Sequence, residues 1–224
     1  NSDAYAVKTD FKGKLQWYKT YGGEKWDIFY SVQPLPDGFA FLGYTDSYGN
    51  GQTDIYLVKT DKEGNTIWAR TYGGTRQDMG SSLIRSGDGG FVILGKSASY
   101  ISKGFGWDGI ILKTDADGNS MWSKVLPTSE FDPSCVFFER EKHIYAAGLK
   151  KCYGMCDAET YLIRADPSGN TETERFYSAI KDDMASGIIY ADKGFYISGT
   201  TLSYGKGMGD IFLVKTGLNF NKVW

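Results

Sequence analysis

Three sets of residues in this 224-residue chain have types and spacings that could do chemistry. The first is acidic. Asp27, Asp78, Asp132 and Asp183 occupy one recurring position, and Asp54, Asp108 and Asp210, with Glu159, occupy a second. A carboxylate beside a turn caps backbone N–H groups, whereas a ring of acids around a channel mouth offers oxygen ligands to a cation. Turn capping is the reading adopted, so these residues are assigned as structural and no metal is expected. The second set is aromatic. Tyr48, Tyr100, Tyr153 and Tyr204 recur once per interval, and Trp26, Phe105, Trp107 and Phe131 fall in nearby loops. Such rings stack on sugar rings while neighbouring polar groups read hydroxyls; alternatively they pack loops against one another. Tyr48, Tyr100, Tyr153, Tyr204, Trp26 and Trp107 are therefore the candidate ligand-binding residues. The third set is sulfur. Cys152 and Cys156 are close enough for a small-loop disulfide in an oxidising compartment, and two free thiols are the alternative. Cys135 reads as a buried strand thiol.

Other chemistries find no support. With His143 the one histidine, a multi-histidine metal site or a Ser-His-Asp triad is poorly supplied. The spacing of Cys152 and Cys156 is one residue too long for a redox Cys-x-x-Cys, and no partners complete a zinc site. Asp115-Ala-Asp-Gly-Asn119 begins like a calcium loop, but the twelfth position, where a glutamate is required, is Leu126. Gly-Lys-Gly-Met-Gly at 205–209 lies between strand-like segments, with no helix to hold phosphate. No catalytic residue and no cofactor is assigned.

Composition narrows the class. A net charge of −2 gives no reason to expect nucleic acid or an anionic membrane as partner. No stretch approaches the roughly 20 apolar residues that span a bilayer, so no membrane insertion is expected. Aromatics at 16% together with 29 glycines point to aromatic strands punctuated by turns, an all-β architecture.

The elements that carry these residues come from an internal repeat. Asp-Ile-Tyr-Leu-Val-Lys-Thr-Asp at 54–61 recurs from Asp3, Asp108, Glu159 and Asp210, at intervals of 51, 54, 51 and 51 residues. A turn follows each copy, such as Lys62–Asn65, Ala116–Asn119 and Pro167–Asn170. Next comes a strand carrying Trp17, Trp68, Trp122 or Trp224, which runs into Tyr-Gly-Gly at 21–23 and 72–74. The aspartate of the first acidic set stands six residues after that tyrosine position. A third strand, a tight turn and a fourth strand ending on Gly43, Gly95, Gly148 or Gly199 complete the unit.

Four short strands per roughly 50-residue unit match propeller blades better than solenoid coils. Counted from the aspartate, strand A is Ile28–Pro34, B is Phe39–Gly43, C is Ile55–Thr60 and D is Thr66–Tyr72. The B–C and D–A loops then share one face, which carries the tyrosines. The repeated tryptophans sit on the outer strand D, placed to wedge between blades. The expected fold is a single all-β β-propeller domain over 1–224. Residues 1–21 form a surplus C–D hairpin, and 22–72, 73–126, 127–177 and 178–224 form four antiparallel blades. On this count the chain is a fragment of a five-bladed or larger ring. One more A–B hairpin would complete the fifth blade, and the incomplete blade is a route to self-association.

Trp-x-x-x-Tyr-Gly-Gly-x-x-x-Asp, then Asp-Gly-Gly-Phe-Val-Ile-Leu-Gly, then Asp-x-x-Leu-Val-Lys-Thr-Asp-x-x-Gly-Asn resembles a β-propeller repeat of bacterial and archaeal exported or cell-surface proteins. The copies at Trp17–Gly43 and Asp54–Gly95 carry the resemblance best. It implies an extracellular or cell-surface location, with the signal peptide outside this sequence, and it assigns no catalytic residues. The expected role is a non-enzymatic binding or scaffold module whose loop face meets a glycan or another protein. The competing class is a glycan hydrolase or lyase with its site at the channel mouth. The third copy departs most, with Leu126-Pro-Thr in place of Tyr-Gly-Gly and Glu141-Lys142 in place of Asp-Gly-Gly.

Overall fold

The structure is a computed structural model describing residues 2–101, 106–126, 131–132, 137–140, 143–150, 159–177 and 182–224, with backbone alone for 131–132, 137–140 and 149–150. All regular structure among these residues is β-strand. β1 (Ala4–Thr9) and β2 (Leu15–Tyr21) form a hairpin, and β3 (Asp27–Leu35), β4 (Gly38–Thr45), β5 (Asp54–Asp61) and β6 (Thr66–Tyr72) form a sheet in that order. A second four-stranded sheet follows in sequence order: β7 (Asp78–Arg85), β8 (Phe91–Ser97), β9 (Asp108–Thr114) and β10 (Ser120–Leu126). In the third, β11 (Phe131–Asp132) and β12 (Phe137–Arg140) both pair with β13 (His143–Lys150), and β14 (Glu159–Ala165) and β15 (Thr171–Tyr177) complete it. β16 (Asp183–Ala191), β17 (Gly194–Thr201) and β18 (Asp210–Gly217) form the last sheet.

The chain divides into two compact units, Asn1–Tyr100 with Leu112–Met121, and Ile101–Ile111 with Trp122–Trp224. In the first, Ala4, Ala6, Tyr21, Phe41, Tyr56 and Val58 pack together, with Trp17, Phe29 and Phe39 against them. In the second, Tyr145, Leu162, Ile188, Phe195, Ile197 and Phe220 do the same. Strand type follows burial. Ile55 to Val58 of β5 are all buried, so the C strand reads as a continuous apolar run, covered on both faces. The D strand β6 is half-buried at most, which fits an outer edge.

The C–D turns after β5, β9 and β14 are each built by the leading aspartate. Asp61 Oδ1 accepts from the amides of Glu63 (3.0 Å) and Asn65 (2.8 Å), and Asp115 and Asp166 repeat the pattern. Asp115–Asn119 is therefore a hairpin turn. Gly64, Gly118 and Gly169 take φ of +77°, +78° and +80°, a region costly for a residue with a Cβ.

The glycine closing strand B corrects the sequence expectation. Gly43, Gly95 and Gly199 do not end their strands; β4, β8 and β17 each run two residues further. Opposite each glycine the A strand bulges, between Phe29 and Ser31, Gly80 and Ser82, and Ala185 and Gly187. A Cβ on Gly43 would lie 1.8 Å from Ile28 O, and on Gly199 2.0 Å from Met184 O. Glycine is there to let the bulged backbone approach.

Candidate functional site

The residues singled out by spacing cluster where the loop entering strand A meets the loop leaving strand B. Backbone bonds zip the two loops together: Asp46 N to Trp26 O (2.7 Å), Ala98 N to Gln77 O (2.8 Å) and Leu202 N to Asp182 O (2.8 Å). The aspartate opening strand A ties both. Asp27 Oδ2 accepts from Gly23 N (2.9 Å) and Ser47 Oγ (2.7 Å). Asp78 Oδ2 accepts from Gly74 N (2.8 Å) and Ser99 Oγ (2.6 Å). Asp183 accepts from Ser203 Oγ at 2.8 Å and from Thr201 Oγ1. Asp132 is the second residue of β11, and its side chain lies outside the described residues.

The sequence reading missed the serines. Ser47, Ser99 and Ser203 each precede one of the repeated tyrosines, so the signal was a Ser-Tyr pair at one repeat position. It also missed Thr45, Ser97 and Thr201, whose hydroxyls accept from the amides of the Ser-Tyr pair at 3.0 to 3.2 Å. These bonds fold the chain sharply back after strand B and present the tyrosine.

The tyrosines are not equivalent. Tyr48 donates its hydroxyl to Gly22 O (2.6 Å) and Tyr100 to Gly73 O (2.9 Å), while their rings remain 47% and 46% exposed. Both therefore clip one loop to the other and still offer a ring face. Tyr204 is 67% exposed, and its hydroxyl has no partner among the described residues. It borders a concavity of about 590 Å³ in the second unit that follows the unpaired edge of β18 along Ile211–Val214, with Phe176, Asp210 and Lys222 beside it. Asp210 Oδ2 accepts from the amides of Lys206 (3.0 Å) and Gly207 (3.3 Å), which fixes the acid beside the concavity. Trp26 is exposed and Trp107 half-buried, each just before a strand. Tyr153, Phe105, Cys135, Cys152 and Cys156 lie outside the described residues, as does the side chain of Phe131.

The strand-D tryptophans stand elsewhere, on the next repeat's C–D turn. Trp17 Nε1 donates to Lys62 O (3.0 Å), and its ring lies edge-on to Phe39 at 5.9 Å. Trp68 lies edge-on to Phe91 at 6.0 Å. A Cβ on Gly64, Gly118 or Gly169 would come within 3.1, 2.9 and 2.4 Å of the rings of Trp17, Trp68 and Trp122. The tyrosine ending strand D joins in: Tyr21 donates to Gly64 O (2.8 Å) and Tyr72 to Gly118 O (2.6 Å). Burial pushes the Tyr21 phenol up to about 12, with the Asp61 charge adding to it. Among the described residues, no group of three or more His, Cys, Asp or Glu side chains is arranged to hold a metal.

No known family model matches this chain, and no curated protein does. Its likeness is to solved structures. An apocarotenoid oxygenase of Synechocystis superposes with a TM-score of 0.52 at 13% identity, over 95% of this chain and 52% of that one. An exo-β-1,3-galactanase of Clostridium thermocellum gives 0.45 at 12%, over 82% and 45%. A GH32 β-fructofuranosidase of Bombyx mori gives 0.44 at 12%, over 83% and 46%. The chain spans about half the length of the structures it matches. At these identities the likeness is one of fold alone, and the fold is all-β, with antiparallel sheets that are blades of the β-propeller type.

Proposed function

We propose that this chain is a binding module of an exported or cell-surface protein, of the β-propeller repeat type its sequence resembles, and that its loop face takes a carbohydrate. The observation that carries the reading is the repeated tyrosine of the B–C loop, which keeps an exposed ring in each repeat where it is described. Tyr204 is the most exposed of the three, with an unengaged hydroxyl, and it stands near the Asp210 carboxylate. A sugar offers the complement: an apolar ring face to stack and hydroxyls to donate to carboxylates. Tyr48 and Tyr100 extend the same design with ring faces whose hydroxyls are already engaged.

Retention on an immobilised glycan panel, measured beside thermal unfolding on the same samples, tests this. The parent chain is expected to be retained by at least one glycan. Tyr204→Ala is expected to lose that retention while melting within about 1 °C of the parent, since an exposed side chain carries little stability. Retention unchanged in Tyr204→Ala removes Tyr204 from the reading. Release of reducing sugar from the retained glycan would move it to the hydrolase class.

A further inference from the structure

The first repeat sets exposed rings and one acid on a single face of its sheet, within the first compact unit. Asp27 pairs with Thr45, and Asp46 N donates to Trp26 O, so Trp26 stands opposite Asp46 on the same face. Thr45 pairs with Asp54, so Thr53 flanks Asp46 on the other side, and its hydroxyl donates to Asp46 Oδ1 (2.7 Å). Thr53 is buried, so the carboxylate is held from the protein side. Tyr44 lies two residues before Asp46 and shares that face. Its ring meets that of Tyr30 at 5.9 Å, tilted by 48°. Tyr30 is the extra residue of the β3 bulge between Phe29 and Ser31, and a bulge re-aims the side chain it carries. Trp26 and Tyr30 are more than half exposed, while Tyr44 and Asp46 are half-buried. Burial raises the Tyr44 phenol above its usual range, with Tyr30 and Asp46 adding to it, so its O–H stays a donor.

The repeat symmetry breaks at these four positions. The second repeat keeps the tie among Asp78, Ser99 and Tyr100, but it has Gln77, Ser81, Lys96 and Ala98 in their place. The last repeat keeps Asp183 and Ser203 and has Asp182, Ser186, Thr200 and Leu202. The framework of a blade is therefore complete without the rings and the acid of the first one.

We infer that Trp26, Tyr30, Tyr44 and Asp46 form a second carbohydrate subsite, distinct from Tyr204, and that it takes an uncharged sugar. This rests on the carbohydrate reading above. The rings offer faces to the apolar side of a sugar ring. The Asp46 carboxylate accepts from sugar hydroxyls, and the tyrosine hydroxyls can donate to them. A uronate or a sulfated sugar would set its own negative charge against Asp46 and is turned away.

The test runs the full 224-residue chain on immobilised neutral glycans and on uronate-bearing and sulfated ones, with thermal unfolding of the same samples. The parent is expected to be retained by a neutral glycan and about tenfold less by acidic ones. Two subsites on one chain add avidity on an immobilised glycan, so loss of either weakens retention. Trp26→Ala and Tyr30→Ala are each expected to weaken it about tenfold while melting within about 1 °C of the parent. Asp46→Asn keeps an oxygen for the Thr53 hydroxyl, so it is expected to fold and to lose the bias against acidic glycans. If Asp46→Asn folds poorly, the two ring variants, which leave the Asp46–Thr53 bond intact, decide. A parent retained by a neutral glycan, with both ring variants retained equally, overturns the subsite and leaves the carbohydrate reading standing. A parent retained by acidic glycans as well as by neutral ones overturns the uncharged-sugar assignment. A parent retained by no glycan overturns both the subsite and the reading it rests on.

Discussion

At the scale of single residues, the repeated tyrosines divide by what their hydroxyls do. Tyr48 is a clip: its O–H holds Gly22 O, and its ring lies 5.9 Å from Tyr56. Tyr48→Phe deletes only the bond and leaves a carbonyl that water can reach. The expected cost is about 1 kcal/mol, a shift of roughly 2–4 °C in melting temperature for a chain of this size. Because the ring face survives, glycan retention is expected to change less in Tyr48→Phe than in Tyr204→Ala. Equal melting of Tyr48→Phe and parent would mean the clip contributes nothing. The difference between Tyr48 and Tyr204 was not legible in the sequence, where both follow a serine at one repeat position. It depends on whether a carbonyl of another loop comes within reach.

At the scale of elements, the seam between consecutive repeats is a ring laid on a turn glycine. Trp68 and Gly118 show the constraint from both sides. Gly118→Ala puts a Cβ at positive φ and within 2.9 Å of the indole, for an expected loss of about 2 kcal/mol. Trp68→Ala removes a half-buried ring and is expected to cost roughly 2 kcal/mol, below the 3–5 typical of a fully buried one. The two share one contact, so the double variant is expected to lose clearly less than the two single losses combined. Denaturant unfolding of the four proteins measures this, and strict additivity would refute the contact. The last repeat varies the theme, because Phe220 takes φ +59° where its counterparts are glycines, with its ring fully buried. The core contacts of that ring offset the backbone strain.

At the scale of the whole molecule, stability should respond to pH with two opposite signs. Asp61, Asp115 and Asp166 are held below the usual carboxylate range, first by the side-chain amides of Asn65, Asn119 and Asn170. A depressed folded-state pKa stabilises above the unfolded value, near 3.9, and that contribution disappears as pH falls through the folded one. Asp54 lies the other way. Burial raises its pKa, so folding is penalised near neutrality and relieved as pH falls toward the unfolded value. The melting temperature is expected to rise on mild acidification and to fall below about pH 4. Replacing Asn65, Asn119 and Asn170 together by alanine should flatten the acid limb and leave the rise unchanged. A monotonic fall from neutrality would contradict the Asp54 assignment.

The sequence alone determined the strand pattern, because a fixed interval repeats the same turn chemistry. Asp-x-x-Gly-Asn specifies its hairpin within five residues, and Asp-Ile-Tyr-Leu-Val-Lys-Thr declares a strand buried on both faces. Local hydrogen bonds and side-chain period suffice for both. Tertiary structure decided what sequence distance hides. Gly43 reads as a strand end but sits in mid-strand, because the bulge it faces lies on β3 and no local signal marks it. Ser47, Ser99 and Ser203 read as ordinary loop residues until the A-strand aspartate arrives from some 20 residues away in the chain. The clips from Tyr48 to Gly22 and from Tyr100 to Gly73 likewise exist only where loops of different strands converge. Hydrogen bonds and charges act over a few ångströms of space, and for these groups only the fold sets that separation.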